Sequence, residues 1–96
     1  MNRAQTLDQL RQHWPEIATF GVRHLAIFGS VARDEAGPKS DVDLLVEFEP
    51  PTEYRRYFAL HTYLETLLDR RVDLATPARL RPHWREQVAQ EALRVA

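Results

Sequence analysis

The sequence predicts an α/β chain of the α+β kind, a small mixed sheet of about three strands flanked by helices. Three observations carry this prediction. Residues 41–48 alternate strictly: Val42, Leu44, Val46 and Phe48 share one face, and Asp41, Asp43, Leu45 and Glu47 share the other. Leu25-Ala26-Ile27-Phe28 is an unbroken apolar run of strand length. Around these stretches, apolar residues recur at helical spacing.

Taken in order, Thr6-Leu7-Asp8-Gln9 has the form of a capping box. It predicts a helix from residue 7 to 13 or 14, with Leu7, Leu10 and Trp14 on one stripe. Pro15 either ends this helix or starts a second turn holding Ile17 and Phe20, and Gly21 marks a stop. Residues 23–28 form the first strand, read as buried on both faces. Residues 30–36 read as two helical turns, closed by Gly37-Pro38. Residues 41–48 are the second strand, ended by Pro50-Pro51. Thr52 caps a longer helix over residues 53–69, with Tyr54, Tyr57, Phe58, His61, Leu64, Leu67 and Leu68 on its stripe. Residues 71–75 are the third strand; Val72 and Leu74 point one way and Asp73 the other. Thr76-Pro77 opens a short turn. Pro82 opens a last helix, with Trp84, Val88, Ala92 and Val95 facing inward.

Ninety-six residues, 44% of them hydrophobic, suffice for one domain with its own core, so residues 1–96 are read as a single unit. There is no cysteine, which excludes disulfides and thiolate metal sites. The polar N-terminus lacks the apolar core of a signal peptide, and no run approaches the ~20 apolar residues of a membrane span. A cytoplasmic protein without a membrane partner is expected. A net charge of −1 argues against coating a polyanion, so no direct nucleic-acid binding is expected. The cations are lopsided, twelve arginines against the single Lys39.

The chemistry sits around the first two strands. Gly29-Ser30 stands where a strand passes into a helix. Glycine lets the backbone approach a phosphate, and the Ser30 hydroxyl can cap the helix or bond a phosphate oxygen. Alone, Gly-Ser before a helix is an ordinary cap. Asp41 and Asp43 lie two residues apart on one strand face, about 7 Å between Cα atoms. That separation lets both reach one Mg²⁺ or bracket two ions. Asp73 is a third acid that joins them if its strand lies alongside. It then suits a general base or a further metal ligand. Arg33 either faces a phosphate or the acids, or pairs with Asp41, Asp34 or Glu47. Ser40 flanks the aspartates and suits a turn. His13, His24, His61 and His83 lack metal-ligand spacing, and Ser30 has no histidine–acid pair.

Gly29-Ser30, ten residues, then Asp41-x-Asp43 resembles the signature of the polymerase-β-like nucleotidyltransferase superfamily. The segments Ile27-Phe28-Gly29-Ser30-Val31-Ala32-Arg33 and Ser40-Asp41-Val42-Asp43-Leu44-Leu45-Val46 look like its minimal nucleotidyltransferase (MNT) branch, and so do Arg71-Val72-Asp73-Leu74 and the tail. That branch includes antitoxins paired with HEPN-domain toxins. The resemblance implies the polymerase-β-like fold. It implies that Gly29, Ser30, Arg33 and Ser40 contact the nucleotide, and that Asp41, Asp43 and Asp73 bind Mg²⁺, as one ion or two, and catalyse transfer. It also implies ATP as substrate and a HEPN-domain protein as partner, whose tyrosine would receive AMP. Relatives often carry glycine where Asp69 or Arg70 stands here. Larger family members bring a second domain for the acceptor, so another chain or a second copy is expected to hold it, in a homo- or hetero-oligomer. Two other functions compete: a non-catalytic nucleotide-binding or toxin-neutralising module, and transfer to a small molecule of the aminoglycoside type.

Overall fold

The computed structural model describes residues 2–35, 37, 40–51, 54–77, 86, 90 and 92–96. Among these, helices α1 (Arg3–Gln12), α2 (Trp14–Ala18), α3 (Gly29–Ala32) and α4 (Tyr54–Leu68) and strands β1 (Val22–Phe28), β2 (Val42–Phe48), β3 (Val72–Ala75) and β4 (Leu93–Arg94) follow in the order α1-α2-β1-α3-β2-α4-β3-β4. The strands form one mixed sheet in the order β3-β2-β1-β4. β1 runs antiparallel to β2 and β4, and β2 runs parallel to β3.

The alternation of residues 41–48 is the alternation of the sheet. Val42, Leu44, Val46 and Phe48 are buried, whereas Asp41 and Glu47 are exposed. Leu25 and Ile27 of β1 and Val72 and Leu74 of β3 join them on the inner face. Leu10 of α1, Ile17 of α2, Val31 of α3 and Leu60, Leu64 and Leu68 of α4 complete one core against that face. Burying such side chains contributes roughly 1.5–3 kcal/mol each before chain entropy is subtracted.

Several expected details differ. The sheet has four strands, not about three. Leu93–Arg94, expected inside a last helix, pairs with Ile27 and Ala26 of β1, and Val95 is buried from there. Ala92, Leu93 and Val95 fit a helical stripe and a short strand alike, so periodicity could not choose. Pro82, Trp84 and Val88 of that expected helix lie outside the described residues, as do Thr52 and Lys39. β1 is fully buried on one face only, since Ala26 and Phe28 stay partly exposed.

The first capping box lies one turn earlier. Asn2 Oδ1 accepts from Gln5 N (2.9 Å), and Gln5 Oε1 accepts from Asn2 N (3.0 Å). Thr6 is buried within α1 and its hydroxyl donates to Asn2 O (2.8 Å). Of the two outcomes left open for Pro15 the second holds, since it lies in the first turn of α2. On α4, Tyr54 and Phe58 are 68% and 62% exposed, so they leave the core stripe, and Leu60 enters it. No helix of the described residues is long and apolar enough to cross a membrane.

Candidate active site

The site begins where β1 ends. Phe28 is the register partner of Asp43, so Gly29 leaves the sheet beside that carboxylate. Gly29 has φ +71°, a conformation that L side chains rarely adopt. A Cβ there would stand 2.2 Å from Asp43 Oδ2. Glycine is therefore required twice, by its backbone angle and by the acid lying against it.

α3 is a single turn, not the two turns expected over residues 30–36. Its end explains why. Asp34 takes φ +59°, Asp34 N donates to Val31 O (3.0 Å) and Glu35 N donates to Ser30 O (2.8 Å). This is a Schellman closure with aspartate in the usual glycine position. Arg3 N donates to Asp34 Oδ1 (3.2 Å), which ties α1 to this turn. Ser30 lies inside the first turn, and no side chain caps α3, so the helix-capping role considered for its hydroxyl is not used.

The parallel pairing of β2 and β3 sets Asp43 directly opposite Asp73. Asp41 lies two residues before Asp43, so three acids from two strands share one neighbourhood. Asp41 and Asp73 are exposed and Asp43 is partly buried. Asp43 is pushed up from 3.8 to about 6, first by burial and then by the charges of Asp73 and Asp41, with Arg33 opposing. The cluster is thus crowded with negative charge at neutral pH.

Arg33 caps the C-terminus of α3, and its Nε lies 3.1 Å from Glu35 Oε2. Arg33 pairs with Glu35, and its charge is also felt at Asp43. Ser40 Oγ accepts from Gly37 N (2.9 Å), and Ser40 N donates to Gly37 O (3.1 Å), a turn role.

Among the described residues, no group of three His, Cys, Asp or Glu is gathered closely enough to hold an ion as it stands. The donor set nonetheless fits a hard divalent cation: three carboxylates offer oxygen ligands, and the mutual repulsion at Asp43 is what a cation relieves.

Sequence reasoning missed how β3 is held. His61 Nε2 lies 2.8 Å from Val72 O, Glu65 Oε2 accepts from Val72 N (3.0 Å), and the Tyr57 hydroxyl donates to Leu74 O. These three residues of α4 are spaced i, i+4, i+8. They occupy backbone groups on either side of Asp73, on an edge strand that would otherwise show unpaired groups. A polar file at that spacing beside the apolar stripe was the available signal.

Asp69 has φ +51°, so it adopts the left-handed turn for which glycine is the usual residue. The turn before β3 is kept without glycine.

The nucleotidyltransferase domain family matches residues 4–95. The protein adenylyltransferase MntA of Thermococcus cleftensis is 42% identical over 76 residues, spanning 79% of this chain and 77% of that one. A solved structure provisionally described as a minimal nucleotidyltransferase superposes with a TM-score of 0.82 at 39% identity, covering 97% of this chain and 95% of its own. The MNT antitoxin crystallised with a tri-AMPylated Shewanella oneidensis HEPN toxin shares the fold, with a TM-score of 0.68 at 16% identity over 98% of this chain and 71% of its own. With a four-stranded mixed sheet of this topology and these matches along its length, the chain belongs to the nucleotidyltransferase domain family, in its minimal branch, and is a nucleotidyltransferase.

Proposed function

We propose that this chain transfers AMP from ATP to a hydroxyl group of a partner protein, and that the partner is a HEPN-domain toxin for which the chain serves as antitoxin. One observation carries the reading: Asp43 lies against Gly29 and opposite Asp73, with its carboxyl pushed up to about 6 by burial first and then by the neighbouring acids. The relative named protein adenylyltransferase and the fold shared with an antitoxin bound to an AMPylated HEPN toxin support it.

In this reading Gly29 and Ser30 receive the phosphates, with Arg33 and Ser40 beside them. Asp41, Asp43 and Asp73 are the Mg²⁺ ligands. Magnesium, when bound there, offsets the charge of the triphosphate. Asp73 lies on the far side of Asp43 from Gly29, where it can take the acceptor's proton. The acceptor oxygen forms a bond to the α-phosphorus as the bond to the bridging oxygen breaks, and pyrophosphate leaves with that electron pair. The three acids position these groups and hold the released proton.

The test is transfer of α-labelled ATP to a co-expressed HEPN protein, with the acceptor identified by a mass increase of one AMP. The expected result is label on the partner that is lost in the Asp41→Ala/Asp43→Ala double variant. Label that survives the double variant removes these acids from the mechanism. A second reading, neutralisation by surface binding alone, is favoured by the exposed Tyr54–Phe58 pair, whose rings stack at 6.5 Å. Full neutralisation by the double variant would select it.

A further inference from the structure

Two sides of α4 are occupied. Leu60, Leu64 and Leu68 pack into the core, and Tyr57, His61 and Glu65 hold β3. On the remaining side Arg55, Phe58, Ala59, Thr62 and Thr66 are exposed, with Tyr54 at its edge, and Asp69 is exposed just past the helix end. The Phe58 ring stacks on Tyr54 (6.5 Å) and meets Tyr57 edge-on (5.6 Å), so a fixed aromatic surface faces solvent. Two charges bracket this stripe. Arg55 lies seven residues before Thr62 and Asp69 seven residues after it, about two helical turns each way. Neither side chain has a hydrogen bond or ion pair among the described residues.

We propose that this face seats a second copy of the chain, with the two α4 helices antiparallel about a two-fold axis at Thr62. The axis sets each Arg55 against Asp69 of the other copy and each Phe58 against Thr66. Ala59 and Thr62 at the centre are small, so the helices can approach to about 8–10 Å. A parallel pair would instead set Arg55 on Arg55 and Asp69 on Asp69, and would align the two helix dipoles. The charges therefore select the antiparallel form. A cation and an acid equidistant from one exposed residue make the stripe complementary to itself, as an interface between identical subunits requires.

The area sets the strength. The 15 residues of α4 span about 22 Å, and one helix face of that length is narrow. Two copies bury less than about 1,200 Å² in all, the range of weak and transient complexes. A dissociation constant of about 1–100 µM is expected. The contact lies on the helix side of the sheet, whereas Asp41, Asp43 and Asp73 lie on the other. Both sites of the dimer stay open, and the dimer stands or falls apart from the transfer reading. It competes with neutralisation by surface binding, which needs the same aromatic pair.

Sedimentation of the full chain from about 1 µM to about 1 mM tests the proposal, with a thermal melt of each variant to confirm folding. The wild type is expected to pass from monomer to dimer across this range. Phe58→Asp is expected to weaken the dimer by about tenfold or more. Arg55→Asp and Asp69→Lys are each expected to weaken it, since each sets like charges together. An equal mixture of those two variants is expected to recover it, because opposite charges then meet at both ends. Asp69→Asn, which tolerates the left-handed turn, is expected to weaken the dimer less and serves if the lysine variant does not fold. A wild type that stays monomeric throughout overturns the dimer, and loss of HEPN co-purification in Phe58→Asp then gives the face to that partner. A dimer that Phe58→Asp and Arg55→Asp leave intact has its axis elsewhere and overturns the assignment. Failure of the folded mixture to recover overturns the pairing of Arg55 with Asp69.

Discussion

Asp43 faces Asp73 across the parallel β2–β3 pair while its own carboxylate rests against Gly29. Two strands and a turn thus converge on one acid. Neither partner can move without disturbing the sheet register that buries Leu44 and Leu74.

This relationship sets a pH dependence of stability. The folded chain binds the Asp43 proton more tightly than the unfolded chain does, since its pKa rises from 3.8 to about 6. The stabilising contribution is fully present below pH 4, fades as pH rises through about 6, and is lost above. Asp43→Asn keeps the shape and removes the charge. It is expected to raise the thermal midpoint of the metal-free protein at pH 7.5, and to match the wild type at pH 4. With solvent screening the gain is about 1 kcal/mol, or roughly 4–8 °C. Thermal melts of both proteins across this range check it; a variant that melts lower than the wild type at pH 7.5 refutes the prediction.

Magnesium is expected to reverse that ranking. An ion bound only by the folded chain stabilises it by about 2.7 kcal/mol at a hundred times its dissociation constant. The wild type should gain this at pH 7.5. It should gain little at pH 5, where Asp43 is mostly protonated, and Asp43→Asn should gain little at either pH. The readout is the shift in thermal midpoint on adding Mg²⁺. An equal shift in the variant places the ion elsewhere.

Gly29→Ala tests the turn. The new methyl group meets Asp43 Oδ2, and φ +71° is unfavourable for any L residue. The backbone term alone costs about 1–2 kcal/mol. The variant should unfold at lower urea and lose nucleotidyl transfer, because Asp43 must turn away to admit the methyl. Unchanged transfer in the variant would show that Asp43 need not rest where it does.

Much of this was legible before the structure. Period-two patterning placed β2 and β3 and set Asp41, Asp43 and Asp73 on the polar side, since side-chain alternation follows from backbone geometry alone. The register of Asp43 against Asp73 was not legible, because pairing depends on contacts far apart in the chain. The expected capping box at Thr6 and Gln9 was one turn late: Asn2 and Gln5 make the same reciprocal bonds, and Thr6 lies inside α1. β4 was hidden because a two-residue strand gives no period. The short α3 was hidden because aspartate at position 34 does what Gly37 was expected to do.

The clip of α4 on β3 yields the last prediction. Glu65 accepts from Val72 N, and His61 contacts Val72 O, the carbonyl of the peptide that leads into Asp73. Glu65→Ala leaves that amide without its acceptor, which costs up to about 1–3 kcal/mol at a part-buried position. Glu65→Gln retains a carbonyl acceptor and should restore most of the loss. The local consequence is more specific than the stability change. With Val72 released, the amides of Val72 and Asp73 should exchange hydrogen faster in Glu65→Ala than in the wild type or Glu65→Gln. Transfer should fall through kcat, with the ATP KM nearly unchanged, because Gly29 and Ser30 lie on α3 at the end of β1, apart from β3. Lower stability without faster exchange at Asp73, and with kcat intact, would reduce the clip to ordinary edge protection.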